Sequence, residues 1–384
     1  MTPQGRPTDH ANIDLAELNR RVIRQEAGGM IIWQPRMLAW FTERDFKGIA
    51  YPERYQGMTP AEVYRDLHCS DRLYHFNGCV ARVEDERVVH YTRQINETDQ
   101  ELVWETPVGV QREIRRHSPS SWYWITLKHE IASEEDMKTA AWRTEHAAYR
   151  WDEDHYRKML RQVGDLGVPA VFMPRPNVQD LYITTMGVEP GVMAMYDYPV
   201  TVEAYFKTLD ELHDRYIDVI NPSPIEVINF GDNLHGGTLP PSLFRRHVLP
   251  VYQKRSERLH AAGKFVHAHW DGDTKSLLPF ARETGLDGIE AITPIPQGDV
   301  TLEEAREALG GGMFLLDGIP AIYFDDYWPV EKLIECANKC IELFAPKLVL
   351  GISDEIAYTG GLERVRLVRE IVDDYNAGVA QRNG

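Results

Sequence analysis

Two histidines and a carboxylate stand close together in the run His267-Ala268-His269-Trp270-Asp271-Gly272. Imidazole nitrogens and carboxylate oxygens are ordinary ligands of zinc and similar divalent ions. The same groups also move protons near neutral pH. On a β-strand, side chains alternate between faces. Phe265, His267, His269 and Asp271 then share one face, and Val266, Ala268 and Trp270 share the other. Only the first face can do chemistry. The expectation is a divalent-metal site, zinc first, on His267, His269 and Asp271. A metal-free catalytic or substrate-binding role, or a hydrogen-bonded structural role, are the other readings of this spacing.

Other polar residues punctuate apolar runs in the same way. Glu290 lies inside Gly288-Ile289-Glu290-Ala291-Ile292, where a carboxylate is costly unless paired, hydrogen-bonded or metal-bound. It is the fourth candidate metal ligand. Asp232 and Asn233 end the run that begins at Glu226, just before Gly236-Gly237. Ser353, Asp354 and Glu355 end the last long apolar run. Asp232, Asp354 and Glu355 are candidate acid/base groups, although a carboxylate at a strand end can equally cap the next helix. Arg36 follows Met30-Ile31-Ile32-Trp33-Gln34-Pro35 and could clamp a carboxylate or phosphate in bidentate fashion. Trp33 and Asn233 complete the candidate substrate contacts. Trp33, Trp104, Trp122 and Trp124 either line an aromatic pocket or pack in the core, and Cys336 and Cys340 read as core residues of an amphipathic helix.

These residues need a frame. From Ser133 onward, buried-strand runs alternate with helical stretches. The strand runs lie at about 170–173, 226–232, 264–269, 288–292, 313–317 and 347–352, and the run at 30–36 is an earlier one. Helices are expected over 133–163 (one or a pair), 301–308 and 329–344. Such βα alternation implies a parallel sheet with helical crossovers, and so many units favour a closed (β/α)8 TIM barrel, an α/β fold. Its catalytic residues would sit at the carboxyl ends of the strands. An open doubly wound sheet is the rival, and no Gly-x-Gly-x-x-Gly follows an early strand to support its dinucleotide-binding form. Residues 72–127 break the rhythm. Val88 to Thr92 and Glu101 to Glu105 read as half-exposed antiparallel strands, with a turn at Thr106-Pro107-Val108-Gly109. The chain therefore divides into an arm and helix over 1–28, the helix running from about Ile13 to Ala27, and one barrel domain over 29–384 carrying a β excursion at about 72–127.

The 384 residues carry 42 basic and 59 acidic groups, a formal net charge of −17. That disfavours non-specific binding to nucleic acid or anionic membranes. The start lacks the apolar stretch of a signal peptide, and no run approaches a membrane-spanning length. Four cysteines give no disulfide framework. A cytoplasmic protein is expected.

Taken in order, these features resemble the uroporphyrinogen decarboxylase and cobalamin-dependent methyltransferase superfamily over about residues 29–370. The marks are Thr106-Pro107-Val108-Gly109, Trp124-Ile125-Thr126-Leu127 followed by Ser133-Glu134-Glu135-Asp136, Phe230-Gly231-Asp232-Asn233, Leu239-Pro240-Pro241-Ser242-Leu243-Phe244, Leu249-Pro250-Val251-Tyr252, the His267 to Gly272 strand, Gly285 to Glu290 and Gly318-Ile319-Pro320. In the methyltransferase branch, zinc is held by a His and a Cys on one strand, a Cys on the last strand and, in some states, a Glu between them. The resemblance matches His267 to that His and Glu290 to that Glu. His269 or Asp271 takes the first Cys position, and Ser353 or Asp354 lies near the last. With both thiolates replaced, the implied site is harder, suited to zinc or another divalent ion. Transfer to a thiol acceptor is disfavoured.

The first reading is accordingly a metal-dependent methyltransferase or demethylase. It would move a methyl group between a small donor and a corrinoid, carried on a partner protein, with the metal acting as a Lewis acid. Asp232 and Asp354 or Glu355 would position the substrate or serve as acid and base. The decarboxylase branch carries an arginine-rich amino-terminal signature, of which Arg36 alone remains. The runner-up is a cofactor-free decarboxylase of a small carboxylated substrate, with Arg36 and the histidines as anion-binding groups. A non-catalytic binding module on the same barrel is the third reading, and a homodimer is the expected assembly.

Overall fold

The computed structural model describes residues 14–383. Thirteen strands occur among them: β1 (Ile32–Trp33), β2 (Val80–Val83), β3 (Val89–Gln94), β4 (Asp99–Thr106), β5 (Gly109–His117), β6 (Trp124–Lys128), β7 (Ala148–Trp151), β8 (Ala170–Met173), β9 (Val227–Leu234), β10 (Phe265–Trp270), β11 (Gly288–Glu290), β12 (Phe314–Pro320) and β13 (Leu348–Ser353). Seven of them form one curled parallel sheet in the order β1-β13-β12-β11-β10-β9-β8. Each sheet strand grows from an apolar run buried on both faces, as parallel strands require.

The alternation expected along β10 holds. Phe265 joins Ile32, Ala170, Val227, Phe314, Leu316 and Val349 in a cluster inside the curl. Leu18 and Val22 of the helix Leu15–Ile23 complete that cluster. Val266, Ala268 and Trp270 belong to the larger core on the other face, shared with helical residues such as Leu259 and Phe244. Helices connect the strands as expected: Leu302–Leu309 opens on a capping box of Thr301 and Glu304, and Val330–Phe344 leads into β13. The predicted arm and the first residue of the predicted first helix lie outside the described residues.

The sheet has seven strands where eight were expected. Residues 70–73 run beside both edge strands of the sheet without forming a ladder. Ser70 N donates to Trp33 O at 2.9 Å, Asp71 N donates to Leu166 O at 2.9 Å, and Ala170 N donates to Leu73 O at 3.3 Å. Ser-Asp-Arg-Leu is too polar for a buried strand, and Arg72 spends its side chain on other partners, described below.

The β excursion is a four-stranded antiparallel sheet, β3-β4-β5-β6. Its predicted turn at Thr106 is present, with Thr106 Oγ1 accepting from Val108 N and Gly109 N at 3.2 and 3.1 Å. The excursion also reaches further than its sequence suggested. β2 pairs antiparallel with β7, so a strand separates the helices Glu134–His146 and Glu153–Val163. This ribbon carries Val80, Arg82 and Tyr149 to the carboxyl end of the parallel sheet. Among the described residues, no helix is long and apolar enough to cross a membrane.

Candidate active site

The carboxyl ends of the parallel strands are where the backbone leaves its ordinary conformations. Asn233 near the end of β9, Asp317 within β12, and Ala291 and Asp354 just after β11 and β13 have φ of 50°, 77°, 66° and 66°. Non-glycine residues enter this left-handed region at a cost and concentrate at functional sites. On β13, a Cβ at Gly351 would lie 2.4 Å from Asp317 Oδ1 and 2.7 Å from Gln34 O. Glycine there leaves room for the Asp317 carboxylate.

Beneath this rim lies a charged cluster centred on Glu290, which is fully buried. Arg36 and Arg72 each bring a guanidinium nitrogen to 3.0 Å from its Oε1. Its Oε2 accepts from Tyr74 Oη at 2.9 Å and from Asn229 Nδ2. Nδ1 of His267 lies 3.0 Å from Oε2, and Nδ1 of His269 lies 3.2 Å from Oε1. Arg72 also grips buried Asp317 with two nitrogens, at 2.7 and 3.2 Å, and donates through Nε to Gln34 Oε1 at 3.0 Å. Burial alone would push the Glu290 carboxyl upward, but Arg72 and Arg36, joined by the two histidines, hold it well below the usual range. Burial likewise opposes the charge on Arg36. Glu290, Glu355 and Asp317 outweigh it, so the guanidinium is held more firmly protonated than usual.

Above the cluster opens a cleft of about 610 Å³, a size suited to a small molecule. Arg36, His269, Asp271 and Asp354 line one side of it. Val80, Arg82 and Tyr149 from the β2–β7 ribbon, and Phe172 to Arg175 after β8, line the other. The acids facing this space differ from Glu290. Burial raises the Asp271 carboxyl, which sits 3.9 Å from His269 Nε2. Asp180, also in the lining, is pushed up to about 6 by burial and by Glu130. Behind Gly231 and Asn233, burial lifts Asp232 to about 6 against the opposing effect of the Tyr252 hydroxyl, which donates to it.

The structure thus brings together His269, Asp271, Asn233, Asp354 and Arg36 at one cleft, with His267 and Glu290 below. Glu355 stands behind Arg36, its Oε1 3.6 Å from Arg36 Nε, while its Oε2 accepts from Ala39 N at 3.1 Å. It caps the helix Leu38–Lys47 and steadies the arginine. Asp232 is one layer behind the lining. Trp33 is not at the cleft. It is fully buried in the outer core and stacks on Phe324 at 6.4 Å, because its place on β1 turns it toward the helices. Trp104 packs under Arg143, and Trp122 and Trp124 are exposed on the excursion, so the four tryptophans form no common pocket. Arg72, Tyr74, Asn229, Asp317, Asp180, Arg82 and Arg175 escaped the sequence reading. Asp317 alone carried a visible signal, since it closes the apolar run from Met313.

The expected metal site needs His267, His269, Glu290 and Asp271 as donors. Both oxygens of Glu290 are already engaged, and both histidines turn Nδ1 to that carboxylate. An ion at Oε1 would also face two guanidinium groups. Among the described residues, no three His, Cys, Asp or Glu side chains are arranged to hold a metal ion. These side chains do not fit the zinc site that the resemblance implied.

Comparison with known proteins gives one family match and several likenesses of fold. The family model for uroporphyrinogen decarboxylase (URO-D) matches residues 181–374, a span that holds Asn229, Asp232, both histidines, Glu290, Asp317 and Asp354. A methyltransferase from Methanosarcina mazei superposes with a TM-score of 0.56 at 13% identity, covering 92% of this chain and 97% of that one. A B12-independent methionine synthase from Shewanella sp. W3-18-1 gives 0.41 at 10% identity over 92% and 97% of the two chains. No curated protein matches in sequence.

Proposed function

The chain belongs to the uroporphyrinogen decarboxylase family, and we propose that it removes a carboxyl group from a small carboxylated substrate without a metal. One observation carries this reading: Glu290 is saturated by Arg36, Arg72, Tyr74 and Asn229. The strand histidines therefore serve a carboxylate–arginine cluster. That cluster fixes Arg36 and His269 at the floor of a cleft that also holds a protonatable acid. We also read residues 70–73 as the eighth position of a TIM barrel, since they hydrogen-bond to both edges of the sheet.

The chemistry follows from the geometry. His269, with its Nδ1 proton directed to Glu290, offers Nε2 toward Asp271. Arg36 stays cationic and meets negative charge that develops on the substrate. The carbon–carbon bond to the carboxylate breaks, and its electron pair passes to the substrate carbon and into an electron-accepting group of the substrate. Carbon dioxide leaves. Asp271, whose carboxyl burial shifts toward the protonated form, returns a proton to that carbon and is reprotonated from solvent.

The test is release of labelled carbon dioxide from a panel of small carboxylic acids, before and after treatment with a chelator. Turnover that survives the chelator, with substoichiometric metal by elemental analysis, is the expected result. The rival reading is methyl transfer between a small donor and a partner-borne corrinoid, in keeping with the full-length likeness to the Methanosarcina methyltransferase. One tightly bound divalent ion per chain and methylation of reduced cobalamin would establish that reading in place of decarboxylation.

A further inference from the structure

The arginines facing the cleft differ in how their charge is met. Arg36 lies beside Glu290, Glu355 and Asp317. Arg82 Nε lies 3.1 Å from Glu84 Oε1. Arg175 lines the same cleft but forms no ion pair or side-chain hydrogen bond among the described residues, and its Nε is shielded from water without a partner. The acid behind it, Asp232, is already bound by Tyr252. A shielded N–H without an acceptor is costly, and such groups call for an explanation.

The loop that presents Arg175 is built to hold it still. Arg175 stands between Pro174 and Pro176. Proline fixes its own φ and keeps the preceding residue extended. Pro174 O accepts from Arg255 NH1 at 3.0 Å, and Arg255 is 1% exposed. An arginine on a pinned loop, with its Nε unpaired, no ion pair among the described residues and its face on a ligand-sized cleft, is ready to receive an anion in fork geometry.

Resting on the decarboxylation reading, we infer that Arg175 is a subsite for a second carboxylate, and that the substrate is a dicarboxylic acid whose reacting end lies at His269 and Asp271. Arg175 would set which acid is accepted and how it is oriented, while Arg36 and Asp271 act at the bond that breaks.

Calorimetric titration of the full chain tests this with succinate, glutarate and phthalate against butyrate, valerate and benzoate, and with 3-phosphonopropionate. At least one dicarboxylate should bind about tenfold or more tightly than its monocarboxylate counterpart, the scale of a charge-assisted pair. Arg175→Gln should collapse that preference to about threefold or less, and Arg175→Lys should keep part of it, having charge without the fork. An unchanged melting temperature shows that the variants are folded. A preference that survives Arg175→Gln overturns the inference and leaves the proposed function standing. Tighter binding of 3-phosphonopropionate than of every dicarboxylate also overturns it, by assigning Arg175 to a phosphoryl group. Failure of the wild-type chain to bind any carboxylate overturns both readings.

Discussion

The floor of the cleft and its walls use the same residue types to opposite ends. On the floor, Glu290 and Asp317 are met by Arg36 and Arg72, and Arg36 is the member of that set that also lines the cleft. On the walls, Asp180 and Asp271 are pushed toward their neutral forms and Arg175 Nε lacks an acceptor. Burial penalises charge in both places. The floor compensates with ion pairs and hydrogen bonds, whereas on the walls the carboxyls are shifted toward the protonated form and Arg175 Nε has no acceptor. A saturated cluster positions groups, and an unsaturated one binds and reacts.

The contrast breaks most sharply if the floor loses one partner. Arg72→Met leaves Asp317 and half of Glu290 uncompensated in a buried site, which should cost about 3–5 kcal/mol of stability. Urea denaturation checks this, and a loss under about 1 kcal/mol would mean that water reaches the cluster. On the walls the corresponding change should spare stability and remove chemistry. Asp271→Asn keeps the shape but not the transferable proton, so kcat should fall by about 10²–10⁴-fold with little change in the urea midpoint. Equal losses of stability and rate would erase the distinction.

Acidity sharpens the comparison further, because Glu290 on the floor and Asp180 on the walls respond with opposite sign. The Asp180 and Asp232 carboxyls sit near 6 in the folded chain, above the unfolded value of about 3.9. Their contribution is fully present below about pH 4 and is lost as pH rises toward 6, each carboxyl losing about 1.4 kcal/mol for every pH step of one between those values. Glu290, held well below its ordinary value, contributes above its unfolded value and loses that contribution only as pH falls through its depressed folded one. Replacing Asp180 by Asn should therefore improve stability relative to the wild type by about 2–3 kcal/mol between pH 4 and pH 7. Urea midpoints across that range decide, and a difference that stays flat would show that Asp180 is charged in the fold.

How much of this arrangement the sequence displays depends on where the partner of each residue lies. The parallel strands are legible because burial on both faces leaves a continuous apolar run, and β8 lies at Ala170–Met173 as expected. His269, Asp271, Asn233 and Asp354 are legible because a polar residue at the end of such a run has few other reasons to be there. The function of the floor is not legible, because Arg72 reaches Asp317 across 245 positions and nothing local in Ser70-Asp71-Arg72-Leu73 announces it. The same gap bears on the metal expectation. Two histidines and a glutamate at suitable strand ends describe a zinc site and an arginine-neutralised cluster equally well, and the sequence does not show that Arg36 and Arg72 reach the glutamate. Trp33 fails for a different reason. It belongs to the outward face of a two-residue strand, too short for alternation to show.

The smallest expected effect falls at the boundary between the two regions. Glu355 stands half-buried beside Arg36 and caps the next helix through Ala39. Its carboxyl is raised by burial, against the pull of Arg36, so it resembles the walls in acidity and the floor in partners. Glu355→Gln keeps an oxygen for the Ala39 amide and removes only the charge, at a distance of 3.6 Å from Arg36. The change should cost about 1 kcal/mol or less in stability, in line with a cap or a partly exposed pair. If Arg36 is fixed mainly by Glu290, the affinity for a monocarboxylate should rise slightly, because one competing negative charge has gone. A fall in that affinity by more than about tenfold, some 1.4 kcal/mol, would instead make Glu355 a necessary support of the arginine and move the edge of the saturated region outward to include it.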